Sequence, residues 1–340
     1  MSSVPNQPSM PRPRKPRFLR GLVSVVLLAG IGVATYLYGG VLMDVVRAAQ
    51  FTPTTQLAAA NSRIALTMRG QQIFYATAPE IQDKTQFNAS CQSAERTAAI
   101  LGCYYKDRIY LYNIQNEELD GTLEVTAAHE MLHAAYHRLN YFERRDVDAM
   151  VQAQYQKVKD QPEISQLMNY YTEAEPGAEL DELHSIIGTT IQDISPELER
   201  YYDRYFTNRA SIVALNAKYN AVFSELSRQA DALQKQIDTE GPAIKKEMAN
   251  YDVDLAQLNL DIQSFNARAS TTGGFSSQSE FTVARAALLQ RTNLLNSRQQ
   301  ALNARVAAYN ALVERLNGIA VHVNTLNQSI NGVSAPSGVE

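Results

Sequence analysis

Apolar residues in the last third of the chain recur with a helical seam's period. Leu288, Leu295, Leu302, Tyr309, Leu316, Val323 and Ile330 repeat every seven residues. Ile244, Met248, Tyr251, Leu255, Leu258, Ile262 and Phe265 alternate steps of four and three. Such a track turns one stripe toward a partner helix along its whole length, as in a coiled coil. The polar, Gly- and Ser-rich ASTTGGFSSQS between the two tracks predicts a reversal. Residues 207–331 are therefore expected to form an antiparallel coiled-coil hairpin, followed by a flexible tail over 332–340. Gly241 and Pro242 are expected to kink or split the first arm, although Ile237 and Ile244 keep the apolar phase across them.

Residues 61–206 follow a different pattern. YYKDRIYLYNI, residues 104–114, is rich in aromatic and β-branched residues, with Tyr104, Lys106, Arg108, Tyr110 and Tyr112 alternating with Tyr105, Asp107, Ile109, Leu111 and Asn113. That reads as one strand with a mixed outer face, at the edge of a small sheet. NEELDG then makes a turn, and Thr122 is placed to cap a helix carrying Val125, Leu132, Ala135, Tyr136 and Leu139. Further helical patterns cover 141–159 and 163–172. After a break at Pro176 and Gly177, ELDELHSIIGTTI starts another helix. The fold class expected is mainly α: an α+β domain with a small sheet, then the helical hairpin.

Residues 21–43 contain no charged side chain. A 23-residue helix is about 35 Å long, enough to cross a bilayer. A cleaved signal peptide fits less well, because cleavage after Ala49 would place Arg47 where a small residue is needed. Residues 1–20, rich in Pro, Ser and Arg, are expected to be disordered, and 44–60 to be a connector. Arg12, Arg14, Lys15, Arg17 and Arg20 precede the apolar stretch, with no acid among them. The positive-inside rule puts that tail in the cytoplasm and the body outside it. The whole chain has 340 residues and a net charge of −4, so removing those five charges leaves the remainder at about −9. An acidic body argues against nucleic acid as a partner.

The only cysteines are Cys91 and Cys103. In an oxidising compartment they are expected to form a disulfide; the alternative is two buried thiols. Asn88-Ala89-Ser90 fits a glycosylation acceptor, but nothing else marks a eukaryotic secretory host.

The candidate chemistry lies in TAAHEMLHAAYH, residues 126–137. His129 and His133 are four apart, so on a helix both imidazoles face one way, one turn above the other. Two such imidazoles can reach one zinc ion, and Glu130 beside the first can take a proton from a water without being a ligand.

With this motif the chain resembles the zincin metallopeptidases, whose metal helix carries HExxH after an edge strand that pairs with extended substrate. The resemblance covers about 80–90 residues. It implies a Zn2+ cofactor, a peptide or protein substrate, and substrate contacts along the strand at Tyr110 and Tyr112. The metzincin extension HExxHxxGxxH fails here, since Tyr136 and Leu139 stand where Gly and His are required. The gluzincin pattern takes a third ligand from a later helix. In AELDELHSIIGTT, Leu180, Leu183 and Ile187 form the core face, with Glu179 and Glu182 on its flank. Glu182 is the expected ligand, with Glu179, Asp181 and His184 as alternatives. Many gluzincins carry an acid four residues after that glutamate to hold the first histidine; here Ile186 occupies the position. His137 reads as a rim or partner residue. His184 is a candidate hydrogen-bond donor to a substrate oxyanion, with Tyr201, Tyr202 and Tyr205 as weaker candidates. His322, in the coiled coil, reads as a surface residue.

These readings combine into a membrane-anchored zinc metallopeptidase with its body outside the cytoplasm. Zinc would be held by His129, His133 and Glu182, with Glu130 as general base. The coiled coil would be a spacer, lid or docking arm for a protein partner. The rival reading is an envelope scaffold or binding protein that works through its coiled coil, with an inactive or structural zinc site.

Overall fold

Lys106 and Asp107 both take left-handed backbone, at φ 51° and 60°. Two consecutive positive φ values are the signature of a two-residue hairpin turn. Residues 104–114 therefore do not form the single strand that their alternation predicts; the chain doubles back on itself. In the computed structural model, which describes residue 28 and residues 39–91, 101–174 and 176–330, the result is a three-stranded mixed sheet. Its strands are β1 (Glu80–Gln82), β2 (Gly102–Tyr105) and β3 (Arg108–Tyr112), in the order β1-β3-β2. β1 runs parallel to β3, and β2 antiparallel. The strand carrying Tyr110 and Tyr112 is thus central, and among the described residues the sheet edges are β1 and β2.

Cross-strand partners share a face of a sheet. Gly102 pairs with Leu111 and Tyr104 with Ile109, whereas Cys103 pairs with Tyr110 and Tyr105 with Arg108. The second set packs with Phe87 and Cys91 of a helix over Lys84–Cys91, with Tyr105, Tyr110 and Tyr112 around them. Cys91 and Cys103 are joined in a disulfide, with an S–S distance of 1.99 Å. The first set includes Ile109 and Leu111, both fully buried.

Eleven α-helices occur among the described residues. The segment read as a connector, 44–60, is largely helical: it holds the greater part of α1 (39–50) and most of α2 (Thr55–Ile64). The threonines there act as a helix start, since the Thr54 side chain accepts from Leu57 N at 3.3 Å. Then come α3 (Met68–Ala76), α4 (Lys84–Cys91), α5 (Thr122–His137), α6 (Tyr141–Val158), α7 (Pro162–Ala174), α8 (Glu179–Thr190) and α9 (Pro196–Tyr202). Helices α10 (Arg209–Ala269) and α11 (Gln278–Ile330) complete the set. Helix α6 begins at a capping box, in which Asn140 and Glu143 satisfy each other's backbone N–H. Thr122 does not cap α5 as expected; its hydroxyl donates back to the Leu119 carbonyl at 2.6 Å.

The chain divides into two units, one of 39–113 and 123–214, the other of 114–122 and 215–330. In the first, α5 is a core helix, with Ala127, Ala128, Met131, Leu132 and Ala134 at 0 % exposure. Helix α8 lies close against it. A β carbon on Gly188 would stand 2.4 Å from Leu132 Cδ1 and 2.9 Å from the Tyr202 ring, so only glycine permits this approach. The far end of α8 is closed by Arg209. Its guanidinium donates to the carbonyls of Ile191 at 2.6 Å and Gln192 at 2.9 Å, and pairs with Glu199 at 2.7 Å.

In the second unit α10 and α11 run antiparallel. Arg291 pairs with Asp261, Arg298 with Asp254 and Arg305 with Glu247. Each step of seven up one arm meets a step of seven down the other, as two arms sharing a seven-residue period require. Helix α10 is not split at Gly241 and Pro242; it continues through both. Phe265, Phe275 and Phe281 cluster at the tip, with ring centroids 5.3 Å apart. His322 is half exposed and reaches Glu118 at 3.0 Å. No described helix is long and apolar enough to cross a membrane. The tails at 1–20 and 332–340, and residues 21–38 of the apolar stretch apart from Leu28, lie outside the described residues.

Candidate metal centre

Helix α5 sets His129 and His133 one turn apart, and their Nε2 atoms face each other at 3.1 Å. Glu182, in the first turn of α8, completes the group. Its Oε1 lies 3.4 Å from His133 Nε2, and its Oε2 3.6 Å from His129 Nε2. Three donors around a tetrahedral ion at 2.0–2.1 Å stand about 3.4 Å from one another. The observed separations, with each Glu182 oxygen facing a different imidazole, are close to that spacing, one donor atom from each residue lies within 4.8 Å of the others, and two imidazoles with one carboxylate are a metal-binding donor set. The triad His129, His133 and Glu182 could therefore hold a metal ion.

Asp181 supports it. Its Oδ1 lies 2.8 Å from His133 Nδ1 and its Oδ2 2.9 Å from His137 Nε2. A carboxylate on Nδ1 holds the proton there and leaves the Nε2 lone pair for the ion. Burial works against a charged His133, but Glu182, Asp181 and Glu130 outweigh it and push its pKa up to about 10. The acids around this imidazole favour positive charge at the centre of the group. Burial likewise raises the Asp181 carboxyl, and the hydrogen bonds from His133 and His137 more than reverse that. Glu182 is also lowered overall, its burial outweighed by His133 and His129.

Glu130 is 4 % exposed, and its Oε2 has no hydrogen-bond partner. Burial pushes its carboxyl up, against the pull of His133 and His129. Strand β2 passes directly over it at Gly102. The first-set face of the sheet, which includes Gly102 and Tyr104, therefore looks onto α5. Tyr104 packs against His137 with the rings tilted by 49° and centroids 5.4 Å apart.

The remaining candidates lie elsewhere. Tyr110 and Tyr112 are on the opposite face of the sheet, packed toward Phe87 and the disulfide, so the substrate contact expected of them does not fit this side. His184 is fully buried among Tyr136, Tyr201 and Tyr202, with Nε2 2.9 Å from the Tyr201 hydroxyl. Burial drops its pKa to about 3. A neutral, enclosed imidazole already engaged by Tyr201 is not placed to donate to a substrate oxyanion. Tyr201, Tyr202 and Tyr205 are buried in the same aromatic cluster. Sequence reasoning did not single out Gly102, and named Asp181 only as an alternative ligand. An acid next to the expected ligand is the one signal that pointed to it.

A mainly α fold with a small mixed sheet and a buried His–His–Glu triad defines a candidate metalloprotein. Comparison with protein families, with curated proteins and with solved structures finds no match to this chain.

Proposed function

We propose that the chain is a zinc metallopeptidase, anchored through residues 21–43 with its body outside the cytoplasm. Two imidazoles and a carboxylate suit zinc among the common ions. His129, His133 and Glu182 would hold it, and bound there it supplies Lewis acidity that makes a water nucleophilic near neutral pH.

The observation that carries the reading is Glu130. It is a buried carboxylate with an unpartnered oxygen, beside the first histidine of the triad. Such a group can accept the proton of the attacking water and pass it to the leaving amine. Asp181 holds His133 in the tautomer that binding requires. With β3 central, an extended peptide would add to β2, the edge strand over Glu130, by backbone pairing.

The test is hydrolysis of a mixed-peptide pool by the zinc-loaded full chain. Glu130→Gln should retain zinc and lose at least about 10²-fold in rate, the usual contribution of a positioned base. Equal rates for the two proteins contradict the mechanism. They would favour the scaffold reading, which has no use for a base at position 130.

A further inference from the structure

The first unit carries a group of large apolar side chains that its core does not cover. Tyr141 and Phe142, which open α6, are 77 % and 67 % exposed, and Met68, which opens α3, is 77 % exposed. Polar contacts draw these positions together around α1. Asp44 of α1 is buried and pairs with Arg69 at 3.0 Å, next to Met68, and with Arg138 at 2.9 Å, three residues before Tyr141. Arg204 joins the same neighbourhood. It pairs with Glu143 at 3.3 Å, and its carbonyl accepts from the Thr67 hydroxyl at 2.6 Å. Around Asp44, the side chains of Val41, Leu42, Met43, Val45 and Val46 are exposed as well. Single exposed apolar residues are ordinary, but a cluster of this kind marks an interaction surface.

We propose that this surface seats the protein on the bilayer, with Met68, Tyr141 and Phe142 entering the interfacial layer of the lipid. The proposal rests on the anchor reading of residues 21–43. The uncharged stretch ends at Met43, one residue before Asp44. At 1.5 Å per helical residue, Asp44 and the groups paired with it lie within a turn of the stretch's end. The side chains gathered around Asp44 then share the level at which the chain leaves the lipid. Tyr and Phe rings beside Arg are the chemistry of that level, an apolar body below and a polar or charged group above. Arg145 provides such a group: it lies over the Phe142 ring at 5.9 Å, is 63 % exposed, and pairs with the equally exposed Asp146 at 3.0 Å. The same contacts run to the metal centre through Arg138, which follows α5 directly and reaches Tyr104 and Asp107. A surface seated in this way holds α5 close to the lipid, where membrane-proximal segments of a substrate would reach it.

The chain has no tryptophan, so Phe142→Trp and Met68→Trp each create a single fluorescent reporter. Each full-length variant is reconstituted into phosphatidylcholine–phosphatidylglycerol vesicles with plain or brominated acyl chains, and circular dichroism confirms wild-type helicity. Both reporters should shift to the blue, and bromine should quench them roughly twofold, as for a ring within the 5–10 Å interfacial layer. Unquenched, water-like emission from chains that float with the vesicles overturns the proposal and leaves the anchor standing. A blue shift that grows with protein concentration and ignores bromine assigns the surface to a second copy of the chain, which also overturns it. Chains that do not float with the vesicles overturn the anchor reading, and the proposal with it.

Discussion

A β carbon on Gly102 would stand 2.8 Å from Glu130 Cγ and 2.9 Å from Glu130 Oε1. It would also be 2.5 Å from Thr126 Cγ2, so neither neighbour leaves it space. The strand thus sets where the Glu130 carboxylate can lie, and the three atoms nearest that β carbon belong to Thr126 and Glu130, not to a ligand. Gly102→Ala should keep zinc binding and lower peptide hydrolysis by about 10²-fold, since a shift of about 1 Å in a reacting group costs that much. Paired zinc and rate measurements check it. Loss of zinc together with rate would show that the glycine supports the whole fold rather than the base.

Asp181 bridges His133 and His137, so its removal should loosen the imidazole that it orients. Asp181→Ala is expected to weaken zinc binding by about 10–100-fold, the usual effect of losing a carboxylate behind a ligating histidine. His137→Ala removes only the outer contact and should cost less. Competition with a chromophoric chelator measures both. A wild-type affinity in Asp181→Ala would leave the carboxylate without an orienting role.

The Asp107 carboxyl gives a pH dependence away from the ligands. Burial raises it, but Arg138 and the hydrogen bonds from Tyr104, Arg138 and Arg47 bring it below its usual 3.8. A depressed folded-state pKa adds stability that is present above the unfolded value and is lost as pH falls through the folded one. In chelator-treated protein, wild type should melt above Asp107→Asn at neutral pH. The gap should narrow as pH falls below about 4, the unfolded carboxyl value. The contribution is small, because Asp107 is 40 % exposed and its pairs are screened. A gap that is unchanged in acid would mean that the carboxylate is not the source.

The parts of this molecule that repeat along the sequence were legible in it. The heptads predicted the hairpin, and the ion pairs from Arg291 to Arg305 show its two arms running antiparallel. The spacing of His129 and His133 placed them on one helix face, because a four-residue step is nearly a full turn. Glu182 was expected from the resemblance, which takes a third ligand from a later helix, and the phase of Leu180, Leu183 and Ile187 put both it and Glu179 beside the core face. The sheet was misread because strand-forming residues flank Lys106 and Asp107 on both sides, and Lys-Asp lacks the Asn-Gly or Asp-Gly signal of a hairpin turn. That one turn moved Tyr110 and Tyr112 to the centre of the sheet and to its far face. His184 was misjudged for a different reason: its burial depends on Tyr136 and Tyr201, which are distant in sequence. The continuity of α10 through Pro242 is a case where tertiary packing overrides a local breaker; Tyr309 lies against Gly241 there, 3.3 Å from where a β carbon would be.

Zinc content with its coordination tests the central claim most directly. Full-length wild type, His133→Ala and Glu182→Gln are purified with zinc and dialysed, and metal content and X-ray absorption are measured. Wild type should hold one zinc per chain, with two imidazoles among nitrogen and oxygen neighbours at about 2.0–2.1 Å and no sulfur. Both variants should lose most of the metal, because ligand loss and metal binding are coupled. Equal zinc in wild type and His133→Ala, or a sulfur-bound ion, would contradict the site.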